Sequence, residues 1–230
     1  MSIVIYELAH SPYCIPITAA LRSCGVTFET REVPNWDRSE IIRLTHGAHY
    51  QVPLLVHDGQ MLFETAEEPQ RVSHYVDRTF AGGRLFPKRI DGLQEIVIDH
   101  LENEVEGVTF RLCDIHYVPS IEDLVRRTMV LRHKERRFGR GCIDAWKRDE
   151  DAIRAEADRL LERFEITLRH SPFLFGDAPV YSDFLLYGII GNMTWKQWNS
   201  LKDEQTALRS WVDKIRDYRF TGAGGTPAGE

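Results

Sequence analysis

The chain has 230 residues, 43% of them apolar and 28% charged, the balance of an ordinary globular protein. Lys plus Arg number 29 and Asp plus Glu 35, a formal net charge of -6, which argues against general binding to a nucleic-acid backbone. No apolar run approaches the roughly 20 residues that span a bilayer, and no basic segment leads into an apolar one at the N-terminus, so neither a membrane span nor a signal peptide is expected.

In chain order, Ile3-Val4-Ile5-Tyr6 is short, β-branched and apolar, which predicts a buried strand. After the loop Ala9 to Tyr13, Ile17, Ala20, Leu21 and Cys24 recur at helical spacing, and Gly25 sits where a helix C-terminus favours a left-handed residue. Thr27 to Val33 predicts a second strand, and Ser39 before Glu40-Ile41-Ile42 predicts the N-cap of a short helix. Val52 to Val56 predicts a third strand, Asp58-Gly59 a tight turn, and Met61-Leu62-Phe63 the returning strand. Pro69 suits the first turn of a helix whose apolar face is Val72, Tyr75, Val76 and Phe80. This β-α-β-α-β-β-α order predicts an α/β layer on a mixed sheet.

The Gly- and Pro-rich stretch Ala81 to Pro87 reads as the start of a linker. Beyond it strand signals stop. Ile96 to Val108 follows helical spacing, and Ile121 to Trp146 predicts a helical region bent near Gly139 and Gly141. Ile153, Ala157, Leu160, Leu161, Phe164 and Leu168 form one amphipathic stripe. Phe184 to Met193 is apolar nearly all round, which predicts the buried centre of an all-α unit, and Leu208, Trp211, Val212 and Ile215 mark a last helix. The expected divisions are an α/β domain over 1–80, a linker over 81–92, an all-helical domain over 93–219 and a disordered tail over 220–230.

Four cysteines (Cys14, Cys24, Cys113, Cys142) form no CxxC pair and no disulfide framework, so a reducing cytoplasm is the expected compartment. His46 and His49 lack companion ligands, and no metal site is expected.

Ser11-Pro12-Tyr13-Cys14 lies between a buried strand and a helix. Backbone N–H groups at a helix start lack partners and the dipole adds positive charge, so a thiolate placed there is stabilised. Ser11 is a poor nucleophile without a base, but a good donor to a sulfur anion carried by a ligand. The other reading is a plain helix cap, and the motif alone does not separate the two. In Gln51-Val52-Pro53 the proline cannot donate to a ladder. A cis Val52-Pro53 bond would free the Val52 backbone for a bound peptide, and the sequence leaves the isomer open. Carboxylates in Glu64-Thr65-Ala66-Glu67-Glu68-Pro69 precede a helix, where they complement its dipole or hold a ligand ammonium while the helix start holds a carboxylate.

These three stretches in this order resemble the glutathione transferase superfamily. Phe173-Leu174-Phe175-Gly176-Asp177-Ala178-Pro179-Val180-Tyr181-Ser182-Asp183-Phe184 supports this independently, since it is similar to the family's FxxGD-x-P-x-x-A-D-F stretch, and the resemblance covers about residues 3–219. It implies a thioredoxin-like N-terminal domain with a mixed four-stranded sheet, an all-α C-terminal bundle, glutathione as co-substrate, and a cytoplasmic homodimer with a detoxifying transferase activity of serine, bacterial type. Ser11 matches the hydroxyl that hydrogen-bonds the glutathione sulfur, and Cys14 the second cysteine of a CPYC motif, either reactive or a buried apolar residue. Tyr13 is a candidate for the sulfur pocket. Val52 matches the backbone clamp, Pro53 the cis-proline, and Gln51 a contact to the glycyl end.

For the γ-glutamyl end, counting forward from Pro53 selects Glu64-Thr65. Counting back from Val72 selects Glu68-Pro69, with the ligand carboxylate held by the backbone N–H of Gln70. Glu68 is favoured. Asp183 is expected to be structural, paired with Val180 in an incomplete cap. Arg126, Arg127, Arg132, Lys134, Arg136 and Arg137 read as a solvated face, or as one or two cations lining a cleft for an anionic co-substrate. Tyr117, Trp146 and Trp195 read as core more readily than as pocket walls.

The expected activity is therefore thiol activation for attack on a small hydrophobic or electrophilic co-substrate. The alternatives are a glutathione-dependent lyase, dehalogenase or thiol reductase using Cys14, or a non-catalytic regulator on the same fold.

Overall fold

The computed structural model describes residues 2–221. Four strands, β1 (Ile3–Glu7), β2 (Glu29–Glu32), β3 (Leu54–His57) and β4 (Gln60–Leu62), form one sheet in the order β2-β1-β3-β4. β1 runs parallel to β2 and antiparallel to β3, with Ile5 opposite Thr30 and Leu55, and β4 returns antiparallel to β3. The mixed sheet expected from the element order is what forms.

The strands alternate with period two. Ile3, Ile5, Leu55 and Leu62 face one core with Ile17, Leu21, Val72 and Val76, brought by α1 (Cys14–Ser23) and α3 (Arg71–Val76). Tyr6 and Leu54 face the other side, where Val33 and Ile41 cover them, Ile41 from α2 (Ser39–Leu44). The third strand begins at Leu54 and not at Val52, because Pro53 has no N–H to give the ladder. α3 begins at Arg71, so Pro69 lies in the turn before it and not in its first turn.

All later elements are helical. α4 (Asp91–His100) passes through a π-helical turn at Leu101–Val105 into α5 (Glu106–Ser120). The expected bent region is instead two helices, α6 (Leu124–Phe138) and α7 (Cys142–Arg148). Gly139 and Gly141, at φ 93° and 74°, stop one and start the other, and the Glu135 carboxylate accepts from Gly141 N at 2.9 Å.

α8 (Glu150–His170) buries the whole expected stripe. Its Glu165, fully buried, accepts from the N–H groups of Ala207 and Leu208 at the start of α10 (Thr206–Asp217). α9 (Tyr181–Met193) is the buried centre, packed against both α1 and α5.

The stretch between the two halves is pinned. Leu85 is fully buried, its N–H donates to Asp77 Oδ1 at 2.8 Å, and its carbonyl accepts from Tyr181 N and Gln94 Nε2. Phe220, at the head of the expected tail, is buried and donates to the Ser23 carbonyl at 2.8 Å. The rest of that tail, from 222 on, lies outside the described residues.

Candidate active site

The loop Leu8 to Tyr13 leaves β1 and enters α1. It is fixed from below by α9: Asn192 Nδ2 donates to the His10 carbonyl at 2.6 Å. Gly188 faces the same loop so closely that a Cβ there would stand 2.5 Å from the Pro12 carbonyl oxygen. These two contacts set where Ser11 sits.

Ser11 is buried, and its Oγ accepts from Tyr13 N at 3.2 Å and Cys14 N at 3.3 Å. Its carbonyl accepts from Cys14 N and Ile15 N. Pro12 and Pro16 carry no N–H. The first free amides of α1 are thus already taken by Ser11. The helix start offers a ligand its dipole and the Ser11 O–H, not the row of open N–H groups expected from the sequence.

Ser11, Tyr13, Gln51 and Val52 open together onto a cavity of about 240 Å³ between the sheet layer and the helices. The Val52–Pro53 bond is cis, and Val52 stands outside the β-ladder while lining the cavity. Pro53 itself is buried. Cys14 is fully buried below the loop, and burial pushes its thiol up to about 12, against the smaller opposing effect of a hydrogen bond from Ser11.

At the start of α3 the structure seats Glu64, not the favoured Glu68. Glu64 accepts from Arg71 N at 2.6 Å and Val72 N at 3.3 Å. Residues 65–70 loop out, held by Thr65 Oγ1 accepting from Glu68 N, while Glu68 turns outward to pair with Arg71 at 3.4 Å. The reason is reach: a carboxylate seven residues before Arg71 can fold back over a looped insertion, so separation along the chain did not decide the cap. Burial pushes the Glu64 carboxyl up to about 7, although both backbone hydrogen bonds oppose the shift. Gln70 donates its side-chain amide to Glu102 at 2.8 Å, tying the α3 start to the π-helical turn. Glu64, Thr65, Glu68, Pro69 and Gln70 do not line the cavity.

Arg38, Glu106, Phe110, Asp114 and His133 line the cavity and were not read from the sequence as site residues. Arg38 donates to the Val33 carbonyl and to Asn35 Oδ1 and forms no ion pair among the described residues, leaving guanidinium donors to spare. From the helices come Glu106, Phe110 and Asp114 of α5 and His133, Lys134 and Arg137 of α6. Of the six basic residues named above, Lys134 and Arg137 therefore line a cleft. Lys134 is paired with buried Asp114 at 2.5 Å. Burial pushes the Glu106 carboxyl up to about 7, with Lys134 and Arg137 pulling it down and Asp114 and Glu102 pushing it further up. The signal that could have found Glu106 is its place one helical turn after Glu102, but the Ser11 loop with which it shares the cavity lies far away in sequence.

Asp183 is structural as expected. It accepts from Val180 N, Leu174 N and Trp211 Nε1, so it forms one half of a cap whose other half a valine side chain cannot supply. Tyr117 and Trp146 are buried, and Tyr117 packs on the His10 ring at 4.3 Å. Among the described residues no His, Cys, Asp and Glu group could hold a metal ion, and no helix is long and apolar enough to cross a membrane.

The architecture defines a class: a thioredoxin-like sheet layer joined to an all-helical bundle, with a cleft at the seam. A glutathione transferase of Ceriporiopsis subvermispora, solved with glutathione, superposes over 100% of both chains with a TM-score of 0.77 at 12% identity. The transferase GSTFuA3 of Phanerochaete chrysosporium gives 0.75 over 96% of this chain and 98% of its own, at 15% identity. In sequence, glutathione S-transferase U28 of Arabidopsis thaliana is 31% identical over 84 residues, 36% of each chain. A probable glutathione S-transferase of Nicotiana tabacum is 29% identical over 79 residues, 34% of each. The chain thus matches about a third of the length of these curated relatives, and no family model matches it. The fold is that of glutathione transferases, and about a third of the chain is similar to them in sequence.

Proposed function

We propose that the protein is a serine-type glutathione transferase that activates the thiol of bound glutathione for attack on a small electrophile. One observation carries the reading: the Ser11 hydroxyl, the α1 start and the free edge at Val52 all open onto one cavity at the seam. The Val52 backbone pairs with the cysteinyl unit, as one strand edge pairs with another. Arg38 and Gln51 take the glycyl carboxylate, and the γ-glutamyl ammonium points toward Glu64. Ser11 then donates its one proton to the thiolate, a stronger acceptor than the neutral Cys14 thiol it faces now. Lowering the thiol pKa by about two units corresponds to nearly 3 kcal/mol. A homodimer in a reducing cytoplasm is part of the same proposal.

The test is an ultraviolet titration of the bound thiol with conjugation kinetics. Wild type should ionise the thiol one to two units below free glutathione, and Ser11→Ala should lose at least about tenfold in kcat/KM, as one removed donor implies. Equal kinetics in the two proteins would refute the role of Ser11.

A second reading, a protein of this fold that binds no glutathione, is favoured by Glu64, whose carboxylate fills the α3 N-terminus. Calorimetry with millimolar glutathione decides between them. The burial of Cys14 weighs against a mechanism in which Cys14 is the nucleophile.

A further inference from the structure

We propose that Glu106 is the proton donor to co-substrates whose attack by sulfur breaks a carbon–oxygen bond, an epoxide being the simplest case. The inference rests on the reading that a thiolate forms at Ser11.

Glu106 lines the same cavity as Ser11, Tyr13 and Val52, and comes to it from the helical half. It is the first residue after the π-helical turn Leu101–Val105, a helix defect that recurs at functional sites. Its carboxyl makes no hydrogen bond or ion pair among the described residues. The cations near it have other engagements. Lys134 is paired with Asp114, and the Arg137 guanidinium lies over the Phe138 ring at 5.2 Å. The groups that face it are Tyr13 from the α1 loop, Glu102 one turn earlier, Asp114 farther along α5, and His133, Lys134 and Arg137 from α6. Its carboxyl oxygens are not sealed in the core, so the group is free to meet a ligand in the cavity. Its proton affinity, raised close to neutrality by burial, is that of an acid able to give its proton at working pH.

The step balances as follows. The glutathione thiolate forms a carbon–sulfur bond to a ring carbon. The carbon–oxygen bond breaks with its electron pair on oxygen, and the Glu106 carboxyl proton passes to that oxygen. The carboxylate takes a proton from solvent as the hydroxythioether leaves, replacing the one the glutathione thiol released on binding. Displacement of an aryl chloride expels chloride and needs no proton, so the two reactions should respond differently to Glu106.

The experiment measures conjugation of glutathione to styrene oxide and to chlorodinitrobenzene by wild type and Glu106→Gln. The oxide rate should fall about 10²-fold more than the chloride rate, the scale of general-acid catalysis. In wild type the oxide-to-chloride rate ratio should fall as pH rises above neutrality, and in the variant it should be flat. Equal losses on both substrates, no loss on either, or a pH-independent ratio in wild type would overturn the inference. A wild type that conjugates the chloride but not the oxide overturns it while leaving the Ser11 reading intact. One that conjugates neither removes both. If Glu106→Gln folds poorly, the wild-type ratio against pH decides alone.

Discussion

The Ser11 hydroxyl has two lone pairs and one proton, and the structure spends the lone pairs on the N–H groups of Tyr13 and Cys14. What remains for a ligand is a single O–H donor whose direction the helix start has already set. Cys14, one turn inward, shows how burial separates two polar side chains of one short motif. The thiol is held neutral in the core, so it packs as a small apolar group. Cys14→Ala is expected to retain conjugation activity within about twofold and to cost about 1–2 kcal/mol in a denaturant melt, the scale of a modest core truncation. Loss of activity in a folded Cys14→Ala protein would return the cysteine to the mechanism.

Between elements, α9 holds the site from beneath. Gly188 lets α1 approach so closely that an added methyl would meet the Pro12 carbonyl oxygen at 2.5 Å and the Pro16 ring at 2.6 Å. Backbone and a proline ring cannot swing aside as a flexible side chain would. Gly188→Ala should therefore cost about 1–3 kcal/mol, as overpacking does, and should displace the Ser11 loop. A drop in thermal stability together with weaker glutathione affinity is the expected pair of readings, and full affinity in the variant would show that the loop is set elsewhere. Periodicity in the sequence placed α9 in the core but gave no sign that one glycine in it faces the loop before α1, because that approach depends on how two distant helices cross.

Across the whole molecule, buried titratable groups of opposite habit act in neighbouring pH ranges. Glu64 has its carboxyl raised from 4.5 to about 7, so the folded state holds a proton that the unfolded chain releases, and stability falls as pH rises between those values. His10 has its ring lowered from 6.5 to about 4, so the unfolded chain takes the proton first, and stability falls as pH drops through that window. Glu64→Gln removes the first effect. Its unfolding free energy relative to wild type should rise as pH goes from about 5 to about 8, by an amount on the order of 1 kcal/mol or more. A difference that stays constant with pH would show that Glu64 does not titrate in this range.

The sequence by itself determined the parts whose signals are local. Short continuous apolar runs made β1 and β3 strands buried on both faces, the stripe from Ile153 to Leu168 made α8, and the Ser-Pro-Tyr-Cys loop between a strand and a helix put Ser11 at a helix start. It also named both Glu64 and Glu68 as candidates. Only the tertiary structure placed the Glu64 carboxylate on the α3 N-terminus, because folding back over residues 65–70 depends on where α3 docks. Only the tertiary structure brought Arg38, Glu106 and Lys134 to the same cavity as Ser11, since contacts between segments so far apart in the chain are set by the packing of α5, α6 and the sheet layer. Local patterns follow from each residue and its near neighbours, whereas a cavity exists only where separate surfaces meet.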